Sequence, residues 1–146
     1  MITHTTKLRV RYADTDQMGI AYYANYFIWF EEARTEYFRA KGYPYTKIEE
    51  KGIYLPVVEV SCVYKAPVRY DDLLEIQTMV SDYRRSSLTF QYQIFCDGKL
   101  KADGKTVHVF INQEGKPISI PDDVKAILPT IKKEGLPKYP AAYETP

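Results

Sequence analysis

Residues 10–30 read VRYADTDQMGIAYYANYFIWF, and the hydrophobic period of the chain changes inside them. Before the change, Leu8, Val10 and Tyr12 fall on one face and Lys7, Arg9 and Arg11 on the other. That alternation predicts a half-buried strand over residues 5–13, with Tyr12 at its end either lining a site at the loop that follows or, as is commoner for a last strand residue, facing the core. Asp14 to Ala21 carries polar residues and Gly19, and reads as a loop. From about Ala24 to Lys41, Tyr26, Phe30, Ala33, Tyr37 and Ala40 step by four, three, four and three, with Phe27, Arg34 and Phe38 on a neighbouring stripe. That spacing predicts a long helix whose wide apolar arc is covered over much of its circumference.

Outward from this segment the punctuation is regular. Glu31 with Arg34, and Glu36 with Arg39, are opposite charges three residues apart, a pairing that suits a helix surface. Gly42 stands where a helix-ending left-handed residue is expected. Residues 43–52 read as a turn and a short helix opened by Pro44. Four strand-like runs follow, over residues 54–66, 73–84, 87–96 and 100–112, separated by Pro67 with Asp71-Asp72, by Arg85-Ser86 and by Asp97-Gly98. Asp97-Gly98 between two alternating runs is a strong hairpin signal. Pro121 with Asp122-Asp123 opens a short helix to about Lys133. One early helix followed by strands predicts an α+β domain, an antiparallel sheet wrapped around one long helix. It is expected to fill residues 1–134, with 135–146 a flexible tail carrying Pro137, Pro140 and Pro146.

Composition narrows the function classes. The length of 146 residues suits one domain. A net charge of +1 gives no basic field that would argue for nucleic acid. No apolar stretch is long enough to span a bilayer, and residues 1–10, MITHTTKLRV, lack the apolar core of a secretory signal. A cytoplasmic protein is expected. Cys62 and Cys96 both lie in strand-like runs and read as small core residues, not as a disulfide. The 14 tyrosines fit either strand and interface packing or an aromatic pocket, and composition does not choose between them.

Asp16 carries the chemistry. It places a carboxylate, three residues before Gly19, on the loop that feeds a helix N-terminus, where backbone N–H groups are free and partial positive charge gathers. A carboxylate beside such donors suits acyl transfer: it attacks or activates water while the donors hold an oxyanion. On spacing alone, capping and turning are the commoner use of Asp-x-Asp-x-x-Gly. Asp14 suits side-chain bonds to nearby backbone N–H groups. Gly19 suits either a close backbone approach or a positive φ, and Asn25 is a candidate helix cap. His4 and His108 are far apart with no third ligand at zinc spacing, so no metal is implied. No serine or cysteine sits in a nucleophile elbow, and no glycine-rich phosphate loop is present.

The segment 10–30, together with EEARTEYFRAKG (31–42), YKAPVRYDDLLEI (64–76) and DYRRSSLTFQYQIF (82–95), resembles the hotdog-fold acyl-CoA thioesterases of the 4-hydroxybenzoyl-CoA thioesterase type. The resemblance covers about nine-tenths of the chain, in order and with similar spacing. It is similar, too, to the thioesterase associated with the Tol–Pal system, which carries a histidine where this chain has Tyr23.

The resemblance implies hydrolysis of acyl-CoA to free acid and CoA, with no cofactor, because CoA is part of the substrate. It makes Asp16 the catalytic carboxylate, as general base or nucleophile, Gly19 a glycine of the catalytic loop, and Tyr23 the backbone donor to the thioester carbonyl. Tyrosine at 23 disfavours an imidazole base there. The resemblance puts Arg84, Arg85 and Ser86 beside the CoA nucleotide, with Lys65 and Arg69 weaker candidates for that rim. Guanidinium forks suit phosphate oxygens, although paired arginines also occur in plain solvated turns. Tyr22, Tyr26, Phe27 and Glu59 become candidates for the acyl pocket, with a solvent-facing strand edge the ordinary place for Glu59. The expected partners are acyl-CoA or an acyl-carrier protein, and a second and fourth copy of the chain, as homodimer and homotetramer. Two other readings stay open: a non-catalytic acyl-CoA or acyl-carrier-protein binding module, and a hotdog hydratase or dehydratase, which needs a histidine at the site.

Overall fold

The computed structural model describes residues 3–131. The expected 135–146 tail, and the last residues of the helix read to Lys133, lie outside the described residues. Five strands form one antiparallel sheet: β1 (His4–Arg9), β2 (Val57–Tyr64), β3 (Leu73–Tyr83), β4 (Ser87–Cys96) and β5 (Lys99–Val109), in spatial order β1-β3-β4-β5-β2. The long helix α1 (Asn25–Ala40) lies against this sheet; α2 (Tyr45–Glu50) and α3 (Asp122–Lys125) are short. This is the α+β hotdog architecture.

The local signals explain most of the elements. Gly42 takes φ +75° just past α1, and Asp97 and Gly98 take φ +50° and +75° in the β4–β5 turn, the double positive φ that a tight hairpin requires. Tyr26, Phe30, Ala33 and Tyr37 are buried as their spacing predicts, but Ala40 and Ile28 are exposed, so one flank of α1 is uncovered within the chain. Glu36 pairs with Arg39, whereas Glu31 and Arg34 do not pair. The first strand ends at Arg9, earlier than its alternation suggests, because the chain tightens into a 3-10 turn at Tyr12–Asp14. Tyr12 is therefore not core: it is exposed and stacks on Tyr70 with ring centres 3.7 Å apart. Cys62 and Cys96 are both free thiols.

The sheet presents Leu74, Ile76, Val80, Leu88, Phe90, Tyr92, Ile94 and Ala102 to the helix. Phe30 stacks on Tyr92 at 4.3 Å, and Tyr37 and Phe38 meet Phe90 edge-on at 5.5 and 5.7 Å. Gly104 on β5 permits this approach: a Cβ there would lie 2.5 Å from the Phe30 ring and 2.8 Å from the Ser61 carbonyl.

One polar chain runs through the core. His108 is fully buried. Its Nδ1–H donates to the Leu55 carbonyl at 3.0 Å, which leaves Nε2 as acceptor for the Thr106 hydroxyl at 2.8 Å. Thr106 in turn accepts from the Tyr92 hydroxyl at 2.6 Å. Burial pushes the His108 imidazole down to about 4, so the ring is neutral.

Candidate active site

The site begins with a carboxylate that is fully committed. Asp14 is buried, and its side chain accepts the Arg11 backbone N–H at 2.8 Å and the Arg11 guanidinium at 3.0 Å. Its carbonyl accepts both the Tyr22 N–H and the Asn25 side-chain amide at 2.7 Å. Asn25 is thus not the cap its residue type suggests. It lies inside the first turn and ties the helix start back to the turn before the loop.

Between these anchors the loop closes on itself. The Asp16 N–H donates to the Ile20 carbonyl at 2.9 Å, and the Gly19 N–H donates to the Asp16 carbonyl at 3.0 Å. Gly19 holds φ +77° with open space where a Cβ would be. The backbone angle, not crowding, therefore selects glycine. Thr15 bridges Ala21, Ile20 bridges Arg69, and the Ala21 N–H donates to Val68 at 2.8 Å, which pins the loop to the segment entering β3.

Within this frame Asp16 is half-buried. Its Oδ1 accepts the Met18 N–H at 2.8 Å, and its Oδ2 has no partner among the described residues. One oxygen is fixed and one is available. The start of α1 is equally open. Ala24, at the N-cap, makes no side-chain cap, the first turn has no acidic residue, and the N–H groups of Tyr23 and Ala24 have no partner among the described residues. The Tyr22 phenol is pushed up first by its hydrogen bond with Tyr23, and least by the negative charge of Asp16.

A cleft of about 330 Å³ opens beside these donors, lined by Ile20, Ala21, Tyr23, Tyr26, Tyr64 and Lys65, among others. Tyr26 is buried, with its ring 4.8 Å from Trp29 and edge-on to Tyr64 at 4.7 Å. Tyr22 flanks the cleft through its ring contact with Tyr23 at 4.7 Å. Phe27 and Glu59 do not line it. Phe27 packs toward Phe30, and Glu59 is exposed on β2 and paired with Lys105 at 2.9 Å. No local pattern in the sequence announces the part played by Tyr64: its hydroxyl donates to the Tyr23 carbonyl at 2.8 Å across 41 residues of chain.

Arg84, Arg85 and Ser86 form the β3–β4 connection. The Arg85 Nε donates to the Ser119 hydroxyl at 3.1 Å, and Arg84 and Arg85 line a cleft of about 460 Å³ with Lys125 and Asp122. Ser86 gives its carbonyl to the Phe110 N–H and does not line this cleft. The Asp16 loop is anchored at the Leu73 end of β3 and Arg84 follows the Tyr83 end. At roughly 3.3 Å per residue the two are about 35 Å apart along the strand. One chain does not bring them together. Among the described residues no group of three His, Cys, Asp or Glu side chains is arranged to hold a metal, and no helix is long and apolar enough to cross a membrane.

A sequence profile of the thioesterase-like superfamily matches residues 10–128. The acyl-CoA thioesterase YbgC of Haemophilus influenzae is 34% identical over 86% of this chain and 93% of its own length. The crystal structure of a DHNA-CoA thioesterase from Staphylococcus aureus superposes with a TM-score of 0.83 at 36% identity, covering 86% of this chain and 89% of that one. That of 4-hydroxybenzoyl-CoA thioesterase from Pseudomonas sp. strain CBS-3 does so with a TM-score of 0.79 at 27% identity, covering 86% and 98%. With a carboxylate and an uncapped helix start on the matched segment and the fold shared throughout, the chain belongs to the thioesterase-like superfamily.

Proposed function

We propose that this chain hydrolyses acyl-CoA thioesters to the free acid and CoA, with Asp16 and the N–H groups of Tyr23 and Ala24, just before α1, as its catalytic centre. The observation that carries this reading is that Asp16 keeps Oδ2 unpartnered, among the described residues, on the loop that leads directly into a helix start whose Tyr23 and Ala24 N–H groups are unpartnered too. The thioester carbonyl oxygen accepts from those donors, which strengthen as it becomes an oxyanion. Asp16 then follows one of two routes. As nucleophile it attacks the carbonyl carbon, CoA departs as thiolate, and water cleaves the resulting anhydride. As general base it takes a proton from water while the water oxygen attacks, and the tetrahedral intermediate expels CoA. Neither route needs a cofactor.

The acyl group is assigned to the cleft of Tyr23, Tyr26 and Tyr64, with Tyr22 at its rim. Arg84 and Arg85 are assigned to CoA phosphates. Their separation from Asp16 within one chain supports an arrangement in which they serve a site on another copy. Val57, Val58 and Val60 are exposed along β2, an edge of the sheet, and Ile28 is exposed on α1. An uncovered apolar edge of this kind favours strand pairing, so a dimer joined through β2, doubled into a tetramer, is the working form we infer. The cytoplasm, and one domain over residues 1–134, complete the proposal. CoA rather than an acyl-carrier protein is preferred as carrier because the arginine pair suits nucleotide phosphates.

The test is thiol release from a panel of acyl-CoAs, acetyl to palmitoyl with benzoyl, hydroxybenzoyl and phenylacetyl, by wild type and Asp16→Asn. Turnover that Asp16→Asn loses while staying folded supports the proposal. Inert wild-type protein, or a variant equal to it, defeats it. In a single turnover in ¹⁸O-water, ¹⁸O in the Asp16 side chain marks the nucleophilic route with water attacking the aspartyl carbonyl of the anhydride, and trapping of the acyl-enzyme by rapid quench detects that route when water attacks the acyl carbonyl instead.

A further inference from the structure

We infer that Tyr64 is a positioning residue for the oxyanion donors, aiming the Ala24 N–H out of the helix start by holding the Tyr23 carbonyl. The inference rests on the thioesterase reading above and adds a residue to it. At the start of α1 the Tyr22 carbonyl accepts the Asn25 N–H at 3.0 Å, and the Tyr23 carbonyl is the next acceptor. Within the helix it receives only the Tyr26 N–H, at a long 3.3 Å, whereas the Tyr64 hydroxyl reaches it at 2.8 Å. In a trans peptide the C=O and the following N–H point in opposite directions. Fixing the Tyr23 oxygen toward Tyr64 therefore fixes the Ala24 N–H in the opposite sense, outward from the helix, where it has no partner.

Accepting a hydrogen bond also polarises the peptide, so its N–H becomes a better donor. The clamp comes from outside the loop it steadies: Tyr64 closes β2 and reaches across to the helix start. Its ring is braced edge-on against Tyr26, which packs on Trp29. Burial, more than any other influence, pushes the Tyr64 phenol well above its ordinary range, so the hydroxyl keeps its proton at working pH.

The experiment compares wild type, Tyr64→Phe and a control, Tyr54→Phe, which removes a hydroxyl from a partly exposed tyrosine outside the site, on the best substrate of the acyl-CoA panel. Tyr64→Phe keeps the ring and loses the clamp. Its kcat is expected to fall about tenfold, less than the loss of a direct oxyanion donor, with KM within twofold and melting temperature near that of wild type. The control is expected to match wild type.

A second variant carries a fluorinated tyrosine at position 64. Its more acidic phenol loses the donated proton as pH rises, so kcat should decline along that ionisation in the variant and not in wild type. Active wild type with unchanged kcat in Tyr64→Phe, or a change in KM alone, overturns the role of Tyr64 and leaves the hydrolase reading standing. If Tyr64→Phe does not fold, a flat pH profile in the fluorinated protein overturns it equally. Wild type inert toward the whole panel removes the hydrolase reading itself, and this inference with it.

Discussion

The polar chain under helix α1 and the polar groups at its start follow opposite rules. In the core, Tyr92, Thr106, His108 and the Leu55 carbonyl form an unbroken donor–acceptor series, with both imidazole nitrogens used. At the helix start one oxygen of Asp16 and the N–H groups of Tyr23 and Ala24 have no partner among the described residues. Satisfied polar atoms add to stability, whereas unsatisfied ones beside a cleft are available to a ligand. The same division separates two carboxylates only two residues apart. Asp14 is buried and paired with Arg11, and Asp16 is half free. Substitutions on the two sides should therefore move different observables.

The largest effect is expected at Asp16. Asp16→Asn keeps an oxygen for the Met18 N–H, so urea unfolding should change by no more than about 0.5 kcal/mol. Loss of the carboxylate should lower kcat about 10³-fold, the middle of the range for a missing general base. A variant that lost stability in proportion to activity would erase the distinction between this loop and the core.

His108 sharpens the comparison from the other side. Its folded value of about 4 lies below the ordinary 6.5. Below pH 6.5 the unfolded chain binds a proton there that the folded chain refuses, so stability falls with acidification until the buried ring also protonates near pH 4. The loss across that window is about 3 kcal/mol. Urea denaturation at pH 7.5 and 4.5 measures it. His108→Gln should flatten the window while lowering stability at neutral pH. With both ring nitrogens committed in the core, His108 is also poorly placed to serve a hydratase at the helix start.

Asp14→Ala should cost about 2 kcal/mol, the worth of a buried carboxylate bonded to a charged group and a backbone N–H. Its carbonyl, which holds Tyr22 and Asn25, survives the substitution, so activity per folded molecule should fall far less than in Asp16→Asn. Thermal melts read alongside thiol release decide this. A greater activity loss than in Asp16→Asn would mean the two carboxylates have exchanged roles.

The local part of this division is legible in the sequence. A strand period, a polar loop with Gly19 and a helical period fix the setting of Asp16 within one short segment, because each depends on neighbours in the chain. What depends on partners distant in the chain has a different origin. Parity along β2 does not place Glu59, since the register with β5 shifts between Val57 and Glu59 and resets which face a side chain takes. Asn25 has the residue type of a cap, but the Asp14 carbonyl competes for its amide. Tyr64 and Arg84 owe their places to sheet topology, one brought to the helix start and the other carried to the far end of β3.

The smallest expected effect tests one of two exceptions among the described buried side chains, the hydroxyls of Tyr37 and Thr78. Tyr37 is buried on α1, edge-on to Phe90, and its hydroxyl has no hydrogen-bond partner among the described residues. Burial holds its phenol up at about 12. Folding takes this hydroxyl from water and returns nothing to it, a cost of about 1 kcal/mol at the low end for an unsatisfied buried donor. Tyr37→Phe keeps the ring, its contact with Phe90 and the face that Lys41 approaches at 5.4 Å. It is therefore expected to raise stability by up to about 1 kcal/mol in urea denaturation, with kcat unchanged. A loss of similar size would instead show that this hydroxyl finds a partner in the assembled protein, on a buried water or a second copy, and would move Tyr37 to the satisfied side of the comparison.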